Sequence, residues 1–313
     1  MLGPILAILS ALSFSLQNIM ARRGVANAPA SAGAFITIWL GVPIFAIGAL
    51  VSGQLFEIDS LSLKAYVYLA IAGAIHFVVG RSFNYRAIAA IGAARAAPIA
   101  SLTTPYSILI AIIFLNESIS VLMAVGIVFI LAGPLVMVER KRQPVSAGAR
   151  VRVAGSPPRE EKAFEFKQAE GYFFASISAM AYGTSPVFIR AALEGESGLS
   201  VLGGLVSYAA AALLMLIGVA LTSRSDLVTS LKPETIRAFV GAGFFVAIAQ
   251  MLRFMALSLA PVAVVTSLNR AGNVFTLGLS WIFNRHLEFI TPRVVAGVLA
   301  SVCGAITLVI GSQ

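Results

Sequence analysis

The sequence predicts an all-α integral membrane protein, with ten transmembrane helices forming two inverted five-helix repeats around a central cavity. Three observations carry that reading. Of the 313 residues, 59% are apolar and only 11% are charged, against roughly 25% charged in soluble domains. Apolar runs long enough to cross a bilayer recur along the chain, and patterns in the second half repeat those of the first. The mean hydropathy is +0.94. A soluble domain of this size exposes too much surface for so few charges, so a cytosolic enzyme is excluded.

A hydrocarbon core of about 30 Å asks for roughly 20 apolar residues per helix. Such runs lie near 3–21, 33–52, 64–90, 92–115, 119–138, 171–191, 199–222, 236–259, 261–284 and 292–311. No strand-like alternation is seen, and helices are the other way to satisfy backbone groups in lipid. The first run starts at Met1 without a charged leader or a small-residue cleavage pattern before Arg22-Arg23, so it reads as a retained span. The third closes on Arg81-Ser82-Phe83-Asn84-Tyr85-Arg86, a polar stretch expected to face a cavity or leave the membrane. Residues 139–170 break the pattern with Arg140, Lys141, Arg142, Arg150, Arg152, Arg159, Lys162 and Lys167, five glutamates and Pro157-Pro158. That segment is a solvated linker. It divides the chain into a first five-helix repeat (1–138), the linker (139–170) and a second repeat (171–313).

The halves align. Ser10-Ala11-Leu12-Ser13-Phe14 matches Ser178-Ala179-Met180-Ala181-Tyr182, and the same offset carries Arg22 onto Arg190. Glu117 followed by Gly126 and Gly133 matches Glu288 followed by Gly297 and Gly304. Five is odd, so the second copy sits upside down relative to the first. In transporters built this way the substrate site lies near the midplane, where the copies meet.

At these residues the chain resembles the ten-helix EamA-type exporters of the drug/metabolite transporter superfamily. The resemblance runs through the whole chain. It also rests on Ala87-Ile88 through Pro105 leading to Leu115-Asn116-Glu117-Ser118-Ile119-Ser120. Asn284-Arg285-His286-Leu287-Glu288 in the second copy carries two extra residues. The resemblance implies two bundles around a cavity lined by spans one, three, four, six, eight and nine. It also implies a multi-pass protein of the cell's inner (plasma) membrane engaged in efflux.

Small residues spaced by four, Ala7-Ala11-Ser15, Ala175-Ala179-Gly183 and Gly297-Ser301-Ala305, read as helix-packing faces. Polar residues inside spans are the functional signal, because a charge at mid-bilayer is costly unless it meets water or a partner. Asn269, Arg270 and Asn273 form the strongest cluster, with Asn273 on the same helix face as the other two. Arg270 lies about nine residues inside its span, too deep to snorkel out. Gln17 and Asn18 in span one, Tyr182 and Ser185 beside Pro186 in span six, and Ser101, Thr103, Thr104, Pro105 and Tyr106 in span four complete the polar set. From these, Arg270, Asn269, Asn273, Tyr182, Thr104, Tyr106 and Gln17 are the candidate substrate contacts. His76, alone at mid-span, is the candidate proton carrier. Arg81 and Arg253 are expected further out, in gating or snorkelling positions.

No Asp or Glu falls well inside a span. Small four-helix relatives of the resembled family expel cations with a buried glutamate, so its absence argues against a cation pump. Buried arginine without buried acid suits an anionic or zwitterionic ligand, which a guanidinium grips through paired hydrogen bonds. The expected function is secondary active export of a small polar metabolite, an amino acid or organic anion, by alternating access. A membrane-embedded enzyme would need a deep His/Asp/Glu constellation, and none is seen. A non-catalytic permease or assembly subunit is the remaining alternative. With one cysteine (Cys303), two histidines (His76, His286) and no Walker motif, neither metal nor cofactor is expected. The net charge of +9 reads as cytoplasmic loop bias and not as a nucleic-acid surface. The partners are then the substrate and the bilayer, with monomer and homodimer both open.

Charge and family disagree on orientation. The side holding connections 1–2, 3–4, 5–6, 7–8 and 9–10 carries 18 of the 22 basic residues. Lys and Arg near short loops mark the cytoplasmic side, which puts the linker inside and both termini outside. The resembled exporters have their termini in the cytoplasm.

Overall fold

The computed structural model describes residues 2–25, 28–91, 102–115, 120–137, 168–194, 197–222, 231–270, 272, 275, 278–279 and 292–311. They form helices, with no strand among them. In order these are α1 (Leu2–Val25), α2 (Ala30–Val51), α3 (Leu63–Gly73), α4 (Arg81–Ile91), α5 (Thr103–Leu115), α6 (Val121–Met137), α7 (Gln168–Leu193), α8 (Ser200–Thr222), α9 (Pro233–Leu259), α10 (Val262–Asn269) and α11 (Pro292–Gly311). A π-helical segment, Ala74–Gly80, joins α3 to α4 as one span. Among the described residues, five stretches are long and apolar enough to cross a membrane: Leu2–Ala21, Ser31–Val51, Leu63–Ala87, Ser200–Leu221 and Pro233–Leu259. The linker and the glutamates Glu117 and Glu288 lie outside the described residues.

Local chemistry sets the helix ends. Pro233 opens α9, where its missing N–H would be unpaired in any case, and Glu234 faces the positive end of the helix. Gln54 accepts from the backbone N–H groups of Val201 and Leu202 at 2.9 and 3.0 Å, capping the start of α8. On the same side of the molecule, Arg190 donates to the carbonyls of Leu257 and Ser258 at 3.1 and 3.0 Å, closing the end of α9.

Packing is symmetric under exchange of the halves. α1 packs on α9, and the α3–α4 span packs on α7, its counterpart pair. α2 packs on α8, α5 on α10 and α6 on α11, each pairing an element with its own repeat partner. Two hydrogen bonds make the relation specific. Ser10 Oγ donates to the Ala249 carbonyl at 2.8 Å, and the aligned Ser178 donates to the Gly80 carbonyl at 2.9 Å. Between α2 and α8 the contact is reciprocal. Gly41 lies against the Tyr208 ring, Gly204 lies against the Phe45 ring, and the two rings stack with centroids 5.0 Å apart. Ascending numbers on α2 meet descending numbers on α8, so these helices run antiparallel.

The faces of small residues are buried as their spacing predicts: Ala7, Ala11 and Ser15 in α1, and Ala175, Ala179 and Gly183 in α7. Large apolar side chains such as Ile5, Leu109, Ile113 and Leu213 point outward. Lipid tails match those side chains, whereas helix association needs close backbone approach, which small residues allow.

Candidate functional site

His76 sits in the π-helical segment, where hydrogen bonds close between residues five apart instead of four. The Arg81 N–H bonds to the His76 carbonyl. That wider turn stacks position 81 close above position 76, so both side chains enter the same central region. The surrounding backbone is tight. Gly80 lies against the Tyr182 ring, and Gly73 meets the Ser207 backbone. Short contacts of this kind are why small residues bracket the segment.

A directed hydrogen-bond chain runs through His76. Arg253 donates to Gln250 Oε1 (3.4 Å), and Gln250 Nε2 donates to His76 Nε2 (2.8 Å). His76 Nδ1 donates to Ser185 Oγ (2.7 Å), and the Ser185 hydroxyl reaches the Tyr182 carbonyl at 3.5 Å. Pro186 has no N–H to offer that carbonyl four residues back, which leaves it open to Ser185. This assignment gives every ring nitrogen and amide atom a single consistent role. Arg253 Nη1 also lies 3.5 Å from His76 Nδ1, two donors facing one another. The Tyr182 and Phe77 rings wall in the imidazole at centroid distances of 4.7 and 4.8 Å.

Three arginines surround this chain. Arg81 and Arg253 are only 5% and 6% exposed. Their positions in the sequence predict gating or snorkelling sites further out, whereas the structure buries both. They lie on inward faces of spans packed on both sides, so snorkelling is closed to them. Arg81 donates to Thr37 Oγ1 at 2.9 Å and sits over the Phe77 ring at 5.1 Å. Arg270 follows the last residue of α10 and donates from Nε to Thr104 Oγ1 at 2.6 Å. Arg253 and Arg270 are close enough to act on each other electrostatically. Every acidic residue described, Glu57, Asp59, Glu170, Glu194 and Glu234, is exposed.

Other expected contacts are distributed around this centre. Thr104 is fully buried, Tyr106 Oη accepts from Thr184 at 3.2 Å, and Tyr182 stacks on His76. Asn269 is partly buried, with its Oδ1 unbonded among the described residues. Gln17 is partly buried on α1, which continues eight residues further to Val25. Asn273 lies outside the described residues. Sequence reasoning passed over Gln250, Thr37 and Tyr208. Gln250 was the findable one, since it lies three residues before Arg253 on the same face of an apolar helix.

A family model described as "EamA-like transporter family" matches residues 1–138 and 169–310. The chain belongs to the EamA-like transporter family. The two matched stretches leave out the charged stretch between them. One solved structure, titled only "Crystal structure of protein", superposes on this EamA-like transporter with a TM-score of 0.71. It shares 18% identity, and the match covers 99% of this chain and 97% of the other. At that identity the likeness is one of fold. No curated protein matches the sequence.

Proposed function

We propose that this EamA-like transporter exports a small polar metabolite bearing an anionic group, such as an amino acid or organic anion, across the cell's inner membrane. The halves would rock in alternation around the His76–Arg253 centre. One observation carries the reading: Arg81 and Arg253 are buried, and among the described residues they bond only to neutral groups such as Thr37 and Gln250. A buried arginine at mid-membrane costs about 2.5–3.5 kcal/mol on insertion scales, and a carboxylate or phosphate held in its fork offsets that cost. Thr104 holds the Arg270 guanidinium through Nε, and this arginine is the second grip on the anionic group. In this reading His76 positions Gln250 and Arg253, because both its ring nitrogens are committed to neighbours.

The test is transport by the purified chain alone in liposomes, with amino acids and organic anions supplied as radiolabelled substrates. Arg270→Ala should abolish transport while leaving a folded protein. Arg270→Lys should recover little, since an ammonium cannot reproduce the fork. Full activity in the alanine variant would remove Arg270 from the site, and lack of transport by the wild-type chain alone would favour an assembly subunit.

A further inference from the structure

We infer that this transporter is an obligate exchanger: its halves change facing only while a small anion lies against the central guanidiniums, so each anion carried out is matched by one carried in. The inference rests on the anion-site reading above and adds the rule that governs the return stroke. The preferred anion carries two negative charges, as a dicarboxylate or a phosphate does.

The first argument is charge balance. Arg81 and Arg253 bring two positive charges into the interior, where Arg81 donates to Thr37 and sits over the Phe77 ring beside the Tyr182 and Tyr208 phenols, and Arg253 donates to Gln250. None of these carries a negative charge. The five described carboxylates all lie on the exposed surface, so none reaches the centre. Arg253 Nη1 lies 3.5 Å from His76 Nδ1, and Arg81 is held one π-turn from His76 by its N–H bond to the His76 carbonyl, so both arginines flank the same residue.

The second argument is location. Thr37, His76 and Arg81 belong to the first half, whereas Ser185, Gln250 and Arg253 belong to the second. The cluster therefore lies on the surface along which the halves move. While the centre is open to either side, water hydrates the guanidiniums. During the change of facing both sides are closed, and the charges lose that water. An empty centre then passes through a state with two buried positive charges that no described acidic residue compensates, which is strongly disfavoured. A dianion cancels them and restores charge-assisted hydrogen bonds. A neutral or internally balanced site has no such penalty, and a carrier with one returns empty. Here the return stroke needs an anion as much as the forward stroke does.

The experiment uses the full chain in liposomes, with the membrane potential clamped and ¹⁴C-succinate or ³²P-phosphate outside. Vesicles contain either the same anion unlabelled or an osmotically matched concentration of sucrose. Uptake into anion-filled vesicles should exceed uptake into sucrose-filled vesicles at least tenfold. Arg253→Gln should pull that ratio towards one, by lowering the charge that must be cancelled, while raising KM. As a check that does not depend on transport, succinate or phosphate should raise the unfolding temperature of the purified wild-type chain more than sucrose does, and Arg253→Gln should lose that response. Equal uptake into both kinds of vesicle would overturn obligate exchange and leave the anion site standing. Absence of both uptake and thermal stabilisation with either anion would overturn the anion site, and the exchange rule with it.

Discussion

Gln250 sets the direction of every hydrogen bond around His76. Its carbonyl faces Arg253 and its amide faces the ring, so the imidazole accepts at Nε2 and donates at Nδ1. A ring held in this way orients its neighbours, and taking up a further proton would require Gln250 to turn round. His76→Gln, which keeps a donor and an acceptor, should still transport, with a raised KM and an unchanged pH profile between about pH 5 and 8. A flattened profile in that variant would return the proton-carrier role to His76. His76→Leu leaves Gln250 and Ser185 unsatisfied and should lose about 1–3 kcal/mol of stability, read as a lower unfolding temperature than that of the glutamine variant. The polar residues of this centre were legible in the sequence as misfits in apolar spans. Their partners were not, because Thr37–Arg81 and His76–Gln250 join positions 44 and 174 residues apart.

Helix by helix, hydropathy located the described elements, since bilayer thickness dictates their length and composition; of the expected spans 92–115 and 261–284, residues 92–101 and most of 271–284 lie outside the described residues. The π-helical turn at Ala74–Gly80 left no such mark, because hydropathy does not record whether a hydrogen bond closes over four residues or five. Its flanking glycines are the readable trace. A Cβ on Gly73 would lie 2.0 Å from the Ser207 carbonyl oxygen, whereas nothing comes within 4 Å of that position on Gly218. Gly73→Ala should therefore cost about 1–3 kcal/mol by forcing α3 from α8. Gly218→Ala, in the same protein, should be neutral or slightly stabilising. Thermal unfolding of the two variants in one detergent checks the contrast, and equal effects would mean that the α3–α8 contact yields freely. The Gly41–Tyr208 and Gly204–Phe45 contacts follow the same logic of glycine facing ring.

At the scale of the molecule, an inverted duplication makes orientation a separate question from fold. Turning such a protein over exchanges the roles of its halves, so packing is indifferent to which face is cytoplasmic. Charge is not indifferent. Arg81 proves to be central, and discounting it leaves the basic bias on the linker side large. We expect the linker inside the cell and both termini outside. A cysteine at Ala147 in a Cys303→Ala background, probed in intact cells with a membrane-impermeant maleimide, checks this. Labelling without permeabilisation would place the linker outside, in the orientation of the resembled exporters.

The sequence by itself determined that this is a helical membrane protein with two related halves, because lipid dictates composition and span length residue by residue. It also determined that acid is missing from the spans, a property of composition that needs no coordinates. Only the tertiary structure decided that Arg81 and Arg253 are central, that Gln250 links Arg253 to His76, and that α1 and α7 pair with α9 and the α3–α4 span. Those facts depend on which helix faces turn towards one another. A hydropathy run is nearly the same all round, and side-chain packing between distant segments chooses the inward face.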